Sequence, residues 1–257
     1  MNESKAPKAV ASVATAASTR AEVVIDEGLR DYMLRIYVKV ALGLVLSAGL
    51  AYLTSSVPGI RDLLFKTATD DGAVSLAGIT SVGWVVALAP LMIIMSYEPT
   101  LKKPARFKSA TLYWSIVACM GASQGLLVLA FTGASVATTL LVTATAFGGL
   151  SLFGYATRKD LTALGSFLAV GLLGLLLGLG VNLLLHSPAV AFVTSAAGVL
   201  IFAGLIAYDT QRLKLAYYQL GEDADLGAAS DVGALSLYVD FINLFQFLLL
   251  ALSGERR

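Results

Sequence analysis

The chain has 257 residues, 57% of them hydrophobic and 14% charged, with a formal net charge of +1. A soluble domain carries about 25% charged residues, so the composition excludes an ordinary soluble globular protein. The near-neutral balance gives no basis for nucleic-acid binding, and a single cysteine, Cys119, excludes an internal disulfide.

The N-terminal stretch MNESKAPKAVASVATAASTRAEVV is alanine-rich with charges of both signs and lacks the leucine-rich core of a signal peptide. Residues 1–33 are expected to form a cytoplasmic tail, the first 25 or so mobile and dispensable for function, with 253–257 as a short C-terminal tail.

Between them lie apolar runs of roughly 20 residues without the dyad alternation of barrel strands, the length that selects transmembrane helices. In hydrocarbon a helix satisfies its own backbone polar groups. The expected fold is therefore all-α, a polytopic bundle of seven spans within residues 34–252. They fall at about Leu34–Thr54, Leu76–Ser96, Ser109–Ala130, Ser135–Gly154, Leu161–Leu185, Pro188–Asp209 and Gly233–Leu252. SSVPGIRDLLFKTATDDG reads as a long first loop and LKLAYYQLGEDADLGAASD as an acidic sixth loop. Gly121 and Gly125, and Gly171, Gly174 and Gly178, have the small-residue spacing that lets helix backbones approach closely.

Lys and Arg resist translocation and so orient the spans. With seven spans, fourteen of the eighteen fall on one side, among them Lys39, Lys102, Lys103, Arg158, Lys159, Arg212 and Lys214. Arg61, Lys66, Arg256 and Arg257 fall on the other. The N-terminus is expected in the cytoplasm; Arg256 and Arg257 also suit a last segment that re-enters rather than spans.

Of the seventeen acidic residues only two, Asp209 and Asp240, lie within apolar runs on this reading. A charge at the centre of a membrane helix costs about 2.5–3.5 kcal/mol on insertion scales, so such residues usually face the bundle interior and mark pathways or proton relays. Asp209 sits toward the cytoplasmic end of the sixth span and Asp240 roughly 8–12 Å into the seventh, at 1.5 Å per residue. Ser236, Asp240 and Asn243 share one helical face at i, i+4 and i+7. A polar stripe on an otherwise apolar helix points inward, which places the last span at the centre. Two close carboxylates in a low dielectric cannot both ionise cheaply, so the pair is expected to titrate as a unit. The plainer alternative makes Asp209 an exit residue paired with Arg212.

The segments FGGLSLFGYATRKDLTALGSFLAVGLLGLLLGLGVNLLL, FAGLIAYDTQRLK and GALSLYVDFINLFQFLL resemble the C-terminal half of the Bax inhibitor-1 family, in its bacterial branch. The resemblance covers about Leu34 to Leu252 and is strongest from Phe147 onward. It implies a seven-helix bundle of the bacterial inner membrane with the last helix central. It also implies a pH-sensitive calcium leak gated by an aspartate pair at positions that match Asp209 and Asp240. Bacterial relatives further suggest a second role, as an inhibitory partner of a membrane-bound ATP-dependent protease. In the family an arginine of the second helix latches the aspartate pair. The second span here, LAGITSVGWVVALAPLMIIMS, has no basic residue, so Lys39 and Arg212 are the candidate substitutes, each also readable as a snorkelling cation. Ser236 and Asn243 are candidate pore-lining or supporting residues.

Enzyme chemistry fits less well. Paired intramembrane aspartates, one preceded by Tyr208, are similar to those of presenilin-type aspartyl proteases, in which two carboxyls share a proton. The G-x-G-D motif of that family is absent, SLYVD standing instead, and the APL at Ala89 lies far before both aspartates. With one histidine, His186, H-E-x-x-H cannot form. The reading is a non-enzymatic calcium-passing membrane protein that needs no cofactor or resident metal and whose surroundings are lipid.

Overall fold

The computed structural model describes residues 26–70, 73–96, 106–221 and 224–252. The expectations placed on residues 1–25 and 253–257, and on Lys102 and Lys103, lie outside the described residues. Helix α1 (Glu27–Ser56) is followed by the short α2 (Pro58–Leu64) and a hairpin of β1 (Phe65–Asp70) and β2 (Ala73–Ile79). Then come α3 (Ser81–Ser96), α4 (Arg106–Ser123), α5 (Gly125–Ala130), α6 (Gly133–Ala156), α7 (Thr162–Leu185), α8 (Pro188–Gln219) and α9 (Leu226–Leu252).

Six helical segments among the described residues are long and apolar enough to cross a membrane: α1, α4 with α5, α6, α7, α8 and α9. The expected second span differs. Its first residues, 76–79, belong to β2, and the helix that follows, α3, has 16 residues. At 1.5 Å per residue it is about 24 Å long, against about 30 Å of hydrocarbon. Thr80 sets its start: Oγ1 accepts from the Gly83 amide at 3.0 Å and donates to the Leu63 carbonyl at 2.6 Å, as N-capping hydroxyls do. The long first loop is likewise ordered as α2 and the antiparallel hairpin. Leu64 and Phe65 pack with Leu129 of α5 and with Val74 and Leu76 of β2, so the hairpin is seated on one end of the bundle.

Helix ends also move. Asp26 caps α1, accepting from the Leu29 amide at 3.0 Å, and Leu29, Tyr32 and Met33 are buried. The first helix thus starts well inside the stretch expected as tail. Helix α8 runs ten residues past Asp209, to Gln219, and α9 starts at Leu226 rather than Gly233.

The last helix is central. Of its most apolar window 56% is buried, against 11–44% for the other spans, and α1, α4, α6 and α8 all pack on it. Helix α7, at 11%, is peripheral and leans on α8. The core divides around α9. Ile36, Leu112, Tyr113 and Ile116 meet Leu237 and Tyr238 on one side, whereas Phe202 and Ile206 meet Leu244 and Phe247 on the other. Glycines permit the closest approaches: a Cβ at Gly121 would strike Ser47, and one at Gly154 would strike the Ala207 backbone. Gly171 lies against Ile201 and Gly178 against Thr194, while Gly174 meets nothing, so the expected α7 stripe is only partly a packing seam.

Candidate functional site

Helices α8 and α9 bring the two aspartates together. Asp209 and Asp240 are each 6% exposed, and the two carboxyls are close enough to act on each other electrostatically. Asp240 Oδ2 is buried and has no hydrogen-bond partner. Because α9 starts at Leu226, Asp240 is about 21 Å along it at 1.5 Å per residue, deeper along the helix than its sequence suggests.

Ser236, one turn before Asp240, donates to Asp209 Oδ2. Arg212 Nη2 lies 3.3 Å from Asp209 Oδ1 and donates to Ser236 Oγ at 3.0 Å. Its guanidinium also covers the Tyr208 ring, 5.8 Å from the centroid, and half of its side chain is exposed. One carboxyl is therefore held by a hydroxyl and a guanidinium at the rim, and the other sits deeper in apolar surroundings.

Two of the expected supporting residues stand apart from the pair. Asn243 Nδ2 donates to the Val239 carbonyl of its own helix at 2.8 Å. Lys39 is engaged elsewhere: its Nζ forms an ion pair with Asp231 and donates to Ser230 Oγ at 2.7 Å and the Gly227 carbonyl at 3.0 Å. Asp231, 4% exposed, also accepts from Ser109 Oγ at 2.9 Å. This third buried carboxylate, joining α1, α4 and α9, is missed when GEDADLGAASD is taken as loop. A legible signal was Asp225, whose Oδ1 accepts from the Ala228 amide at 3.1 Å as a helix-start residue.

Around these polar centres lie hydroxyl contacts between helices. Tyr113 donates to the Lys39 carbonyl at 2.6 Å, and Tyr238 and Ser47 are 2.7 Å apart. On the other side Tyr37, Ser151 and Thr210 form a chain at 2.6 and 2.9 Å that links α1, α6 and α8. Gln211 closes the α6–α7 turn by accepting from the Leu161 amide and donating to the Lys159 carbonyl.

Residues 121–125, GASQG, match the G-x-S-x-G spacing of hydrolase nucleophiles, which need a strand-to-helix elbow. Here Ser123 ends α4, a helix, and its Oγ donates to the Met120 carbonyl at 2.8 Å. His186, in the exposed turn between α7 and α8, has its Nδ1 3.3 Å from the Leu184 carbonyl. The spacing carries no triad. No cluster of three or more metal-ligating side chains exists among the described residues.

The family model described as "Inhibitor of apoptosis-promoting Bax1" matches residues 29–257. The chain belongs to the Bax inhibitor-1 family. A Caulobacter vibrioides protein is 54% identical over 92% of this chain and 94% of its own length. A Rickettsia prowazekii protein is 38% identical over 94% and 97%, and the inner membrane protein YbhL of Escherichia coli 34% identical over 90% and 94%. For this Bax inhibitor-1 member, Asp209 and Asp240 lie inside the matched region, at the α8–α9 contact.

Proposed function

We propose that this protein is a pH-sensitive calcium leak of the bacterial inner membrane, with its N-terminus in the cytoplasm and its gate at Asp209 and Asp240. The observation that carries the reading is Asp240 itself: a carboxyl buried on the central helix, facing a second carboxyl, with one oxygen unpartnered. A buried unpaired charge is costly, and two neighbouring carboxyls in a low dielectric do not both ionise cheaply. In the closed state the pair at the α8–α9 contact therefore holds one proton.

The other contacts of Asp209 support a sign for the response. Its ion pair with Arg212 exists only while Asp209 is ionised. Acidification adds a second proton to the pair, so Ser236 of α9 loses the charged acceptor that it donates to on α8, and the α8–α9 seam weakens. The leak therefore rises as pH falls. Arg212, rather than Lys39, takes the part of the basic latch.

The test is reconstitution of the purified protein alone in calcium-free liposomes. Calcium entry that increases on acidification supports the leak. No entry at any pH would instead favour the alternative, a regulator of a membrane-bound ATP-dependent protease that acts only through its partner.

A further inference from the structure

The seam between α8 and α9 carries a repeat that extends beyond the acid pair. Ser195, Phe202 and Asp209 stand seven residues apart on α8, about two turns each, so they share one face. Asp240 and Phe247 repeat the interval on α9. Because the helices run antiparallel, the seam is built in rungs from the cytoplasmic side outward. Asp209 and Asp240 form the first. Ile206 and Leu244 follow, and then Phe202 stacks on Phe247, with ring centroids 5.7 Å apart and planes 18° apart. All four apolar side chains are buried. The Phe247 ring is seated on bare backbone, since a Cβ at Gly198 would lie 2.5 Å from it.

Past the stack, between α7, α8 and the end of α9, lies a cavity of about 720 Å³. Asn182, His186, Ser187 and Thr194 give it a polar lining, and among the described residues no lysine, arginine or acid lines it. Such a cavity has the polar partners that hold water, and it sets no lysine or arginine against an entering cation. Along the seam, only the two apolar rungs separate it from the acids. Phe202 to Asp209 is about 10 Å along α8 at 1.5 Å per residue. A close-packed apolar constriction stays dry and stops ions. We propose that the Phe202–Phe247 stack is a plug that keeps outside water from the acid pair, and so forms the outward barrier of the leak. The inference rests on the calcium-leak reading and adds to it the residues that hold an ion back while the seam is closed.

The experiment is thiol labelling of the full chain from outside, in spheroplasts at neutral pH, with a membrane-impermeant methanethiosulfonate. Cys119→Ser removes the one native thiol. In that background Ala191→Cys, in the wall of the cavity, should react, and Ile206→Cys, one turn behind Phe202, should show only background labelling. Adding Phe247→Ser, which replaces the ring by a small hydroxyl side chain that membrane helices accommodate, should bring Ile206→Cys up to the level of Ala191→Cys. Phe202→Ser makes the same test from the other helix, should the first variant not fold. Labelling of Ile206→Cys with both rings in place, protection that survives the loss of a ring, or an unreactive Ala191→Cys would overturn the plug. Calcium entry into proteoliposomes of the same proteins is read separately. Labelling as expected with no calcium entry keeps the plug and removes the leak. Entry on acidification, with Ile206→Cys already labelled, keeps the leak and removes the plug.

Discussion

Asp231 and Asp240 stand nine residues apart on α9 and point to opposite sides of it, since nine residues at 3.6 per turn are two and a half turns. Asp231 binds Lys39 of α1 and Ser109 of α4, while Asp240 faces Asp209 of α8. The central helix is thus tied on one face by a fixed ion pair and on the other by a pair of acids that can change charge. On the proposed function, α9 stays with α1 and α4 while its seam with α8 responds to protons.

The fixed side is testable by stability. Lys39→Met leaves Asp231 buried without its cation and should destabilise the fold by about 3–5 kcal/mol, the usual cost of breaking a buried pair from one side. Lys39→Met with Asp231→Leu should recover most of that loss, because replacing both partners by apolar groups is often near neutral. Denaturant unfolding in micelles measures both. A single variant as stable as the unaltered chain would show that the pair does not hold α9.

The division between what composition reveals and what it hides follows physical lines. Long apolar runs, the bias of basic residues and two acids inside those runs are strong local signals, and they lead to a helical bundle and to the α8–α9 contact. Asp231 escapes because its neighbours Glu222, Asp223 and Asp225 make the segment look solvated, whereas a Lys39 twelve residues into α1 neutralises it across the bundle. The hairpin escapes because Ala73–Ile79 is short and apolar, a pattern that a strand and the start of a helix share.

Packing of α6 on α8 gives a second prediction. A Cβ at Gly154 would meet the Ala207 carbonyl, whereas one at Gly148 meets nothing within 4 Å. Gly154→Ala should therefore cost about 1–3 kcal/mol through overpacking, and Gly148→Ala should gain up to about 1 kcal/mol from helix propensity. The pair of variants makes the same chemical change, so thermal unfolding isolates the contact. Equal effects would mean that α6 and α8 do not approach this closely.

Orientation is a third. Arg158, in the α6–α7 turn, and His186, in the α7–α8 turn, lie at opposite ends of α7. A reporter fused after Arg158 should sense the cytoplasm and one after His186 the outside, because basic residues concentrate at the first of these ends. The reverse pattern would invert the proposed direction of proton sensing.

The pH response of calcium entry, measured in proteoliposomes for the unaltered chain, Asp209→Asn, Asp240→Asn and the double variant, tests the gate most directly. The unaltered protein should leak more as pH falls. Each single substitution should remove most of that dependence, and the double should be little worse than either, because the two acids act as one titrating unit. Additive losses from the two substitutions, or a pH profile unchanged by Asp240→Asn, would contradict a shared-proton gate.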